Sequence, residues 1–257
     1  MLPSSRFLAA VACVALLAFA APAASRAQEF SPAQQSAIAK IVHDYLIEHP
    51  EVLQEAMAEL EKRQTAAEAE KHKAAVKAHA RLLYSSPDQV TLGNPNGNVT
   101  FVEFFDYNCG YCQRAMSDML TLMKSDSKLK VVLKEFPVLG PGSVEAAHVA
   151  VALRMQDPSG KKYLDFHTKL LGGRGQKDGA RALAVAKEVG ADMDRLQKDM
   201  KGPEVEKTLQ QDFKLAEALG LNGTPSYVIG DNVIVGAIGL KGLQENINTA
   251  RCGKAAC

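Results

Sequence analysis

VTFVEFFDYNCGYC, residues 99–112, decides how the rest of the chain is read. Val99 to Asp106 is a run of β-branched and aromatic residues without polar alternation, the pattern of a strand buried on both faces. Cys109-Gly110-Tyr111-Cys112 follows at once, and Gln113 to Lys124 carries Met116, Met119, Leu120 and Met123 at helical spacing. The two cysteines therefore fall at a strand-to-helix junction. Leu129 to Phe136 is the next strand and completes a β-α-β unit. From about residue 143 to 200 the pattern is helical, broken at Asp157–Gly160 and Gly172-Gly173, which reads as a helical insertion. A helix over Glu204–Leu219 is ended by Gly220. Ser226–Ile229 and Val233–Val235, joined by Gly230-Asp231-Asn232, form a hairpin, and a last helix covers Leu240–Ala250.

Upstream, Ser31-Pro32 is an N-cap followed by proline at the first helical position. Ile38, Ile41, Val42, Tyr45 and Leu46 then share one helix face. His49-Pro50-Glu51 interrupts that helix and starts a second, striped by Val52, Leu53, Ala56, Met57 and Leu60. Thr65 to Leu83 is rich in Ala, Glu and Lys, and reads as a linker helix with a weak packing face. Two short amphipathic helices cannot bury their stripes alone, so they either meet other copies of themselves or dock on the main domain. Self-association is the expectation, because the polar spacer holds the stripes away from that domain. The division is 28–64 for the oligomerisation segment, 65–86 for the linker and 87–257 for the domain bearing the cysteines.

The beginning of the chain reads as an export signal. Arg6 precedes the apolar run Phe7–Ala20, and small residues lead to a cleavage point after Ala27, with Ala23 as the alternative. The run is short for a membrane span, and Cys13 within it leaves with the peptide. A net charge of +1 argues against a nucleic-acid partner, which needs clustered Lys and Arg. Hydrophobic residues make up 47% of the chain, enough for a real core. Export together with a Cys-x-x-Cys points to an oxidising compartment in which a dithiol has redox work.

A cysteine at a helix N-terminus faces unpaired N–H groups and the positive end of the helix dipole, which favour thiolate over thiol. Cys109 is the expected nucleophile, and Cys112, one turn further in, the thiol that resolves a mixed disulfide. A zinc or copper site is the competing reading, but its second pair would be Cys252 and Cys257, far along the chain. Those two are instead candidates for a small C-terminal bridge, in a loop too short to remove much unfolded-chain entropy. No metal and no cofactor is expected. Glu103 stands in an apolar strand, where a buried carboxylate without a role is costly.

FVEFFDYNCGYC, the later LKEFP, the helical insertion and GTPSYVIGD together resemble the DsbA-type branch of the thioredoxin superfamily, from about Pro87 to Ala250. The resemblance implies an α/β fold, thioredoxin-like with a helical insertion and preceded by the N-terminal helical segment. It also implies thiol-disulfide oxidoreductase activity and a cis proline at Thr224-Pro225 beside Cys109, with Thr224, Pro225, Gly110 and Tyr111 contacting substrate. By the same resemblance Glu103 is the buried acid beneath the site and Lys134 its basic partner on the neighbouring strand, the two moving the proton on Cys112.

Residues 30–64 resemble the oligomerisation segment of ScsC-type proteins, which are trimeric. That resemblance implies a homotrimer through residues 31–63, located in the periplasm. Gly110-Tyr111 and the threonine before the proline resemble a disulfide isomerase more than an oxidase. The partners implied are unfolded or misdisulfided exported proteins and a membrane redox partner that keeps the dithiol reduced. A monomeric dithiol oxidase and a copper-binding protein of a metal-tolerance system remain open as alternatives.

Overall fold

The computed structural model describes residues 30–257, so the expected export signal lies outside the described residues. The chain divides into two units, the first ending at Ala58 and the second covering Glu59–Cys257.

In the first unit, helix α1 spans Pro32–Glu48 and opens on a capping box: the Ser31 hydroxyl accepts from the Gln34 N–H, and Gln34 Oε1 accepts from the Ser31 N–H at 2.9 Å. His49-Pro50 ends it, and α2 starts at Glu51. None of α1 is buried. Ile38, Ile41, Val42 and Tyr45 stand exposed, as do Leu53 and Met57 at the start of α2.

Helix α2 continues without a break through Thr65 to Ala78, followed by the short α3, Ala80–Tyr84. The expected linker helix over 65–86 falls within these two helices, and its later part packs on the rest of the second unit. Val76 and Leu83 are buried in the second unit with Leu215, Leu219 and Val228, and Lys130 Nζ donates to the Tyr84 carbonyl at 2.6 Å. A mostly polar helix needs few apolar residues to dock when each is fully buried, because contact area and not the length of the stripe sets the gain.

The rest of the second unit is one five-stranded sheet, order β1-β3-β2-β4-β5, with helices on both faces. Strand β2 (Val99–Phe105) lies beside β3 (Leu129–Glu135) in parallel, with α4 (Gly110–Ser125) as the crossover. Strands β4 (Ser226–Ile229) and β5 (Asn232–Val235) form the expected hairpin, turned by Gly230 at φ +58°. Strand β1 (Val90–Gly93), which the sequence reading did not anticipate, pairs antiparallel on the free edge of β3. The helical insertion is α5 (Pro141–Arg154), α6 (Lys161–Gly172), α7 (Gly179–Glu188) and α8 (Met193–Met200). Helix α9 (Pro203–Ala218) and α10 (Gly239–Cys252) complete the chain.

Alternation along β2 separates two cores. Phe101 and Phe105 face the insertion, α4 and α10, whereas Val102 and Phe104 face the residues held by α2, α3 and α9. Buried on both sides, β2 is the rigid element from which the cysteine motif departs. No helix among the described residues is long and apolar enough to cross a membrane.

Candidate active site

Cys109 is the N-cap of α4. Its backbone is extended (φ −80°, ψ 115°), and its sulfur accepts the Cys112 N–H at 3.3 Å. The turn that delivers it from β2 is held by Asp106, whose Oδ1 accepts the Asn108 N–H at 2.7 Å and whose carbonyl accepts the Cys109 N–H at 3.1 Å. On the other side lies the Thr224–Pro225 loop, whose peptide bond is cis. Cys109 Sγ is 3.2 Å from the Thr224 carbonyl, to which a protonated thiol donates.

The two sulfurs are driven apart in acidity. The Cys112 side chain, hydrogen-bonded to Cys109, is the main cause that lowers the Cys109 thiol to about 5; the Thr224 side chain and the N–H groups of Cys112 and Tyr111 add to it, against the opposing cost of burial. That same bond, with burial and the neighbouring Glu103, pushes the Cys112 thiol far upward. At neutral pH Cys109 is a thiolate and Cys112 keeps its proton. Both are free thiols, and Cys112 is wholly buried.

Glu103 is buried on β2 between Leu133 of β3 and Tyr227 of β4. Burial raises its carboxyl to about 8, helped by the negative charge of Cys109 and by Asp118. The expected pairing with Lys134 is not made. The parallel register sets Lys134 opposite Phe104, so its side chain lies on the face away from Glu103 and forms an ion pair with Asp212 of α9 at 3.1 Å. Pairing across strands requires the same face, and adjacent register numbers alternate. Asp212, for its part, is raised to about 6 because burial outweighs the pull of Lys134.

Gly110 has open space where a side chain would stand, and Tyr111 is exposed with the Arg114 guanidinium 4.3 Å above its ring. Cys252 and Cys257 form a disulfide at the end of α10. That end is remote from Cys109: Arg251 reaches Asp126 and Asn98, beyond the C-terminus of α4 and before the start of β2. Among the described residues no three His, Cys, Asp or Glu side chains converge as a metal cluster. Asp212 and Asn108 were missed in the sequence; for Asn108, a polar residue between a buried strand and a reactive cysteine was the available signal.

A stabilised thiolate at a helix N-terminus, only 6% exposed, with a second thiol one turn away that retains its proton, is the arrangement of a thioredoxin-like thiol-disulfide oxidoreductase. Fold and site place the chain in that class. Within it the chain belongs to the DSBA-like thioredoxin domain family, whose model matches residues 100–248. Residues 34–67 match the N-terminal domain of the copper resistance protein ScsC.

A thioredoxin-like oxidoreductase from Silicibacter pomeroyi is similar at 43% identity and a TM-score of 0.63, over 66% of this chain and 96% of its own. The thiol-disulfide exchange protein alpha-DsbA2 from Wolbachia pipientis shares 29% identity at a TM-score of 0.65, over 71% of this chain and 97% of its own. ScsC from Proteus mirabilis, in a transitional conformation, shares 27% identity at a TM-score of 0.62, over 86% of this chain and 96% of its own. Curated relatives include a Na(+)/H(+) antiporter NhaA from Salinispora arenicola, 24% identical, but the match spans 65% of this chain and 26% of that protein.

Proposed function

We propose that the chain is an exported disulfide isomerase that acts through Cys109 and Cys112 and assembles, as a homotrimer, through residues 31–63. The observation that carries the reading is the uncovered apolar face of Ile38, Ile41, Tyr45 and Met57 within a segment similar to the ScsC N-terminal domain. Large apolar side chains left in water at helical spacing call for a partner helix, and copies of the same segment are self-complementary. Several active sites on one stalk raise the effective concentration of thiolate around a bound substrate, which suits reshuffling.

In the proposed reaction the Cys109 thiolate attacks one sulfur of a substrate disulfide. That S–S bond breaks, the other substrate sulfur leaves as thiolate, and a mixed disulfide forms. Isomerisation ends when the freed thiolate attacks another substrate disulfide and the thiolate released there displaces Cys109, with no net gain of electrons. Escape from a stalled complex uses Cys112, which attacks the Cys109 sulfur and releases reduced substrate. Forming the mixed disulfide removes the Cys109 charge, and with it the bond that held the Cys112 proton and one of the causes that keep Glu103 neutral. Glu103 then gives up its own proton to solvent, and its carboxylate is able to accept the one on Cys112. The resulting Cys109–Cys112 disulfide takes two electrons from a membrane partner.

Reactivation of a scrambled-disulfide ribonuclease tests the assembly. The chain from Gln28 is expected to reshuffle well, and a truncation starting at Thr65, which keeps the buried Val76 and Leu83, to reshuffle poorly while still oxidising a reduced peptide. Equal reshuffling by both sinks the isomerase-by-assembly reading and leaves a monomeric oxidase. For the proton step, Glu103→Gln is expected to slow release of the mixed disulfide by about 10-fold. Unchanged release kinetics exclude the relay.

A further inference from the structure

Asn108 precedes the nucleophile and its side chain is fully engaged. Its amide group reads the backbone of Lys177 as a strand would: Oδ1 accepts the Lys177 N–H at 2.8 Å and Nδ2 donates to the Lys177 carbonyl at 2.8 Å. The second Nδ2 hydrogen goes to Ser143 Oγ at 2.9 Å, and Ser143 Oγ in turn donates to Asp106 Oδ1 at 2.7 Å. On the far side of the motif, Gln113 Nε2 donates to the Gly172 carbonyl at 3.2 Å. The loop between α6 and α7 is thus tied at both ends to the residues that flank the two cysteines. Asn108 makes the stronger tie, by number of bonds and by distance.

We infer that Asn108 is a positioning residue, whose pairing with the Lys177 backbone fixes the approach to α4 so that the Cys109 sulfur meets the Cys112 N–H. The argument is geometric. An N-cap works only while its residue stays extended and its side-chain acceptor lies over the first turn, and Cys109 has no β-branch to restrict it. The local turn through Asp106 holds the backbone from the β2 side. The insertion holds it from the other side, through Asp106 to Ser143 of α5 and through Asn108 to Ser143 and to the Lys177 backbone, and Asn108 is the side chain of the turn that reaches the loop between α6 and α7. Without that pairing the 106–109 turn rotates more freely, the sulfur spends less time over the helix N-terminus, and the thiolate loses stabilisation.

The inference rests on the exchange reading above, since it concerns the same nucleophile. The titratable groups around Cys109 are Glu103 from β2, Cys112 from α4 and Tyr227 from β4, with Asp118 farther along α4 acting on Glu103 and Tyr227. Replacing Asn108 alters none of them, so a change in Cys109 ionisation reports its position.

The test is the pH profile of Cys109 alkylation by iodoacetamide in the reduced full chain, with Cys109 identified by peptide mass, alongside amide exchange of residues 173–178. Asn108→Ala is expected to move the alkylation midpoint upward by about 1 pH unit and to speed amide exchange in that loop by about 10-fold. Ser143→Ala, which keeps the Lys177 pairing, is expected to shift the midpoint by less than half as much. Asn108→Ser, too short to reach Lys177, takes the place of the alanine variant if the latter does not fold. A folded Asn108 variant with the parent midpoint overturns the assignment, as does an equal shift from Ser143→Ala. A parent protein whose Cys109 titrates like an ordinary thiol overturns the exchange reading and this assignment with it, so the two failures are told apart.

Discussion

Cys109→Ser is expected to lower disulfide exchange by about 1,000-fold or more, to the background of the assay, because thiolate attack is the reaction itself. The Cys112 side-chain hydrogen bond, then the Thr224 side chain and the N–H groups of Cys112 and Tyr111, bring a thiol down to about 5 against the cost of burial. A serine hydroxyl starts so much higher that the same interactions leave it protonated, and oxygen does not exchange with a disulfide. Cys112→Ser has a different outcome. Attack still occurs, but the buried resolving thiol is gone, so mixed disulfides with substrate accumulate and are seen as covalent adducts on non-reducing gels. Isomerisation, which ends by attack from the substrate's own thiolate, survives in part. If Cys109→Ser still forms adducts and Cys112→Ser does not, the roles of the two cysteines are reversed.

Lys134→Met is expected to cost about 3–5 kcal/mol of stability near pH 8, the range for stripping one partner from a buried ion pair. Lys134 and Asp212 are both almost wholly buried, and removing the ammonium leaves the Asp212 carboxylate with no compensating charge in contact. The pH dependence follows from the raised Asp212 carboxyl, which titrates at about 6 even with Lys134 beside it. Below that value Asp212 carries a proton, no lone charge is left behind, and the loss is smaller at pH 5. Urea unfolding at the two pH values reads the difference. Exchange by the folded fraction is expected to match the parent, since Lys134 faces away from Glu103 and the cysteines. A variant that is as stable as the parent but slow in exchange would restore a catalytic part for Lys134.

What the sequence made legible follows local pattern. The buried strand, the cysteines at the head of α4, the insertion with its breaks and the β4–β5 hairpin each leave a signature within a dozen residues, and each is found where that signature lies. What stayed hidden depends on register or on distant partners. Whether Glu103 meets Lys134 turns on which residues of two parallel strands stand opposite, and a one-residue difference reverses the face. Strand β1 is four residues at an edge, too short to show a period. The docking of α2 and α3 turns on single residues, Val76 in one and Leu83 in the other, too few to form a stripe within a run of Ala, Glu and Lys. The role of Asn108 stayed hidden because its partner, the Lys177 backbone in the insertion, leaves no sequence signal.

The stabilised Cys109 thiolate, held mainly by the Cys112 side chain and further by Thr224 and the first N–H groups of α4, also enters the folding equilibrium. An unfolded thiol ionises near 9, and in the native reduced chain it ionises near 5. A lowered value of this kind contributes stability that is fully present above 9 and is lost as pH falls through 5. The oxidised chain has no thiolate there and receives none of it. Around neutral pH the thiolate therefore stabilises the reduced native state and not the oxidised one. Around the closed thermodynamic cycle the converse holds: folding, through the thiolate it stabilises, favours the reduced form of Cys109 and Cys112.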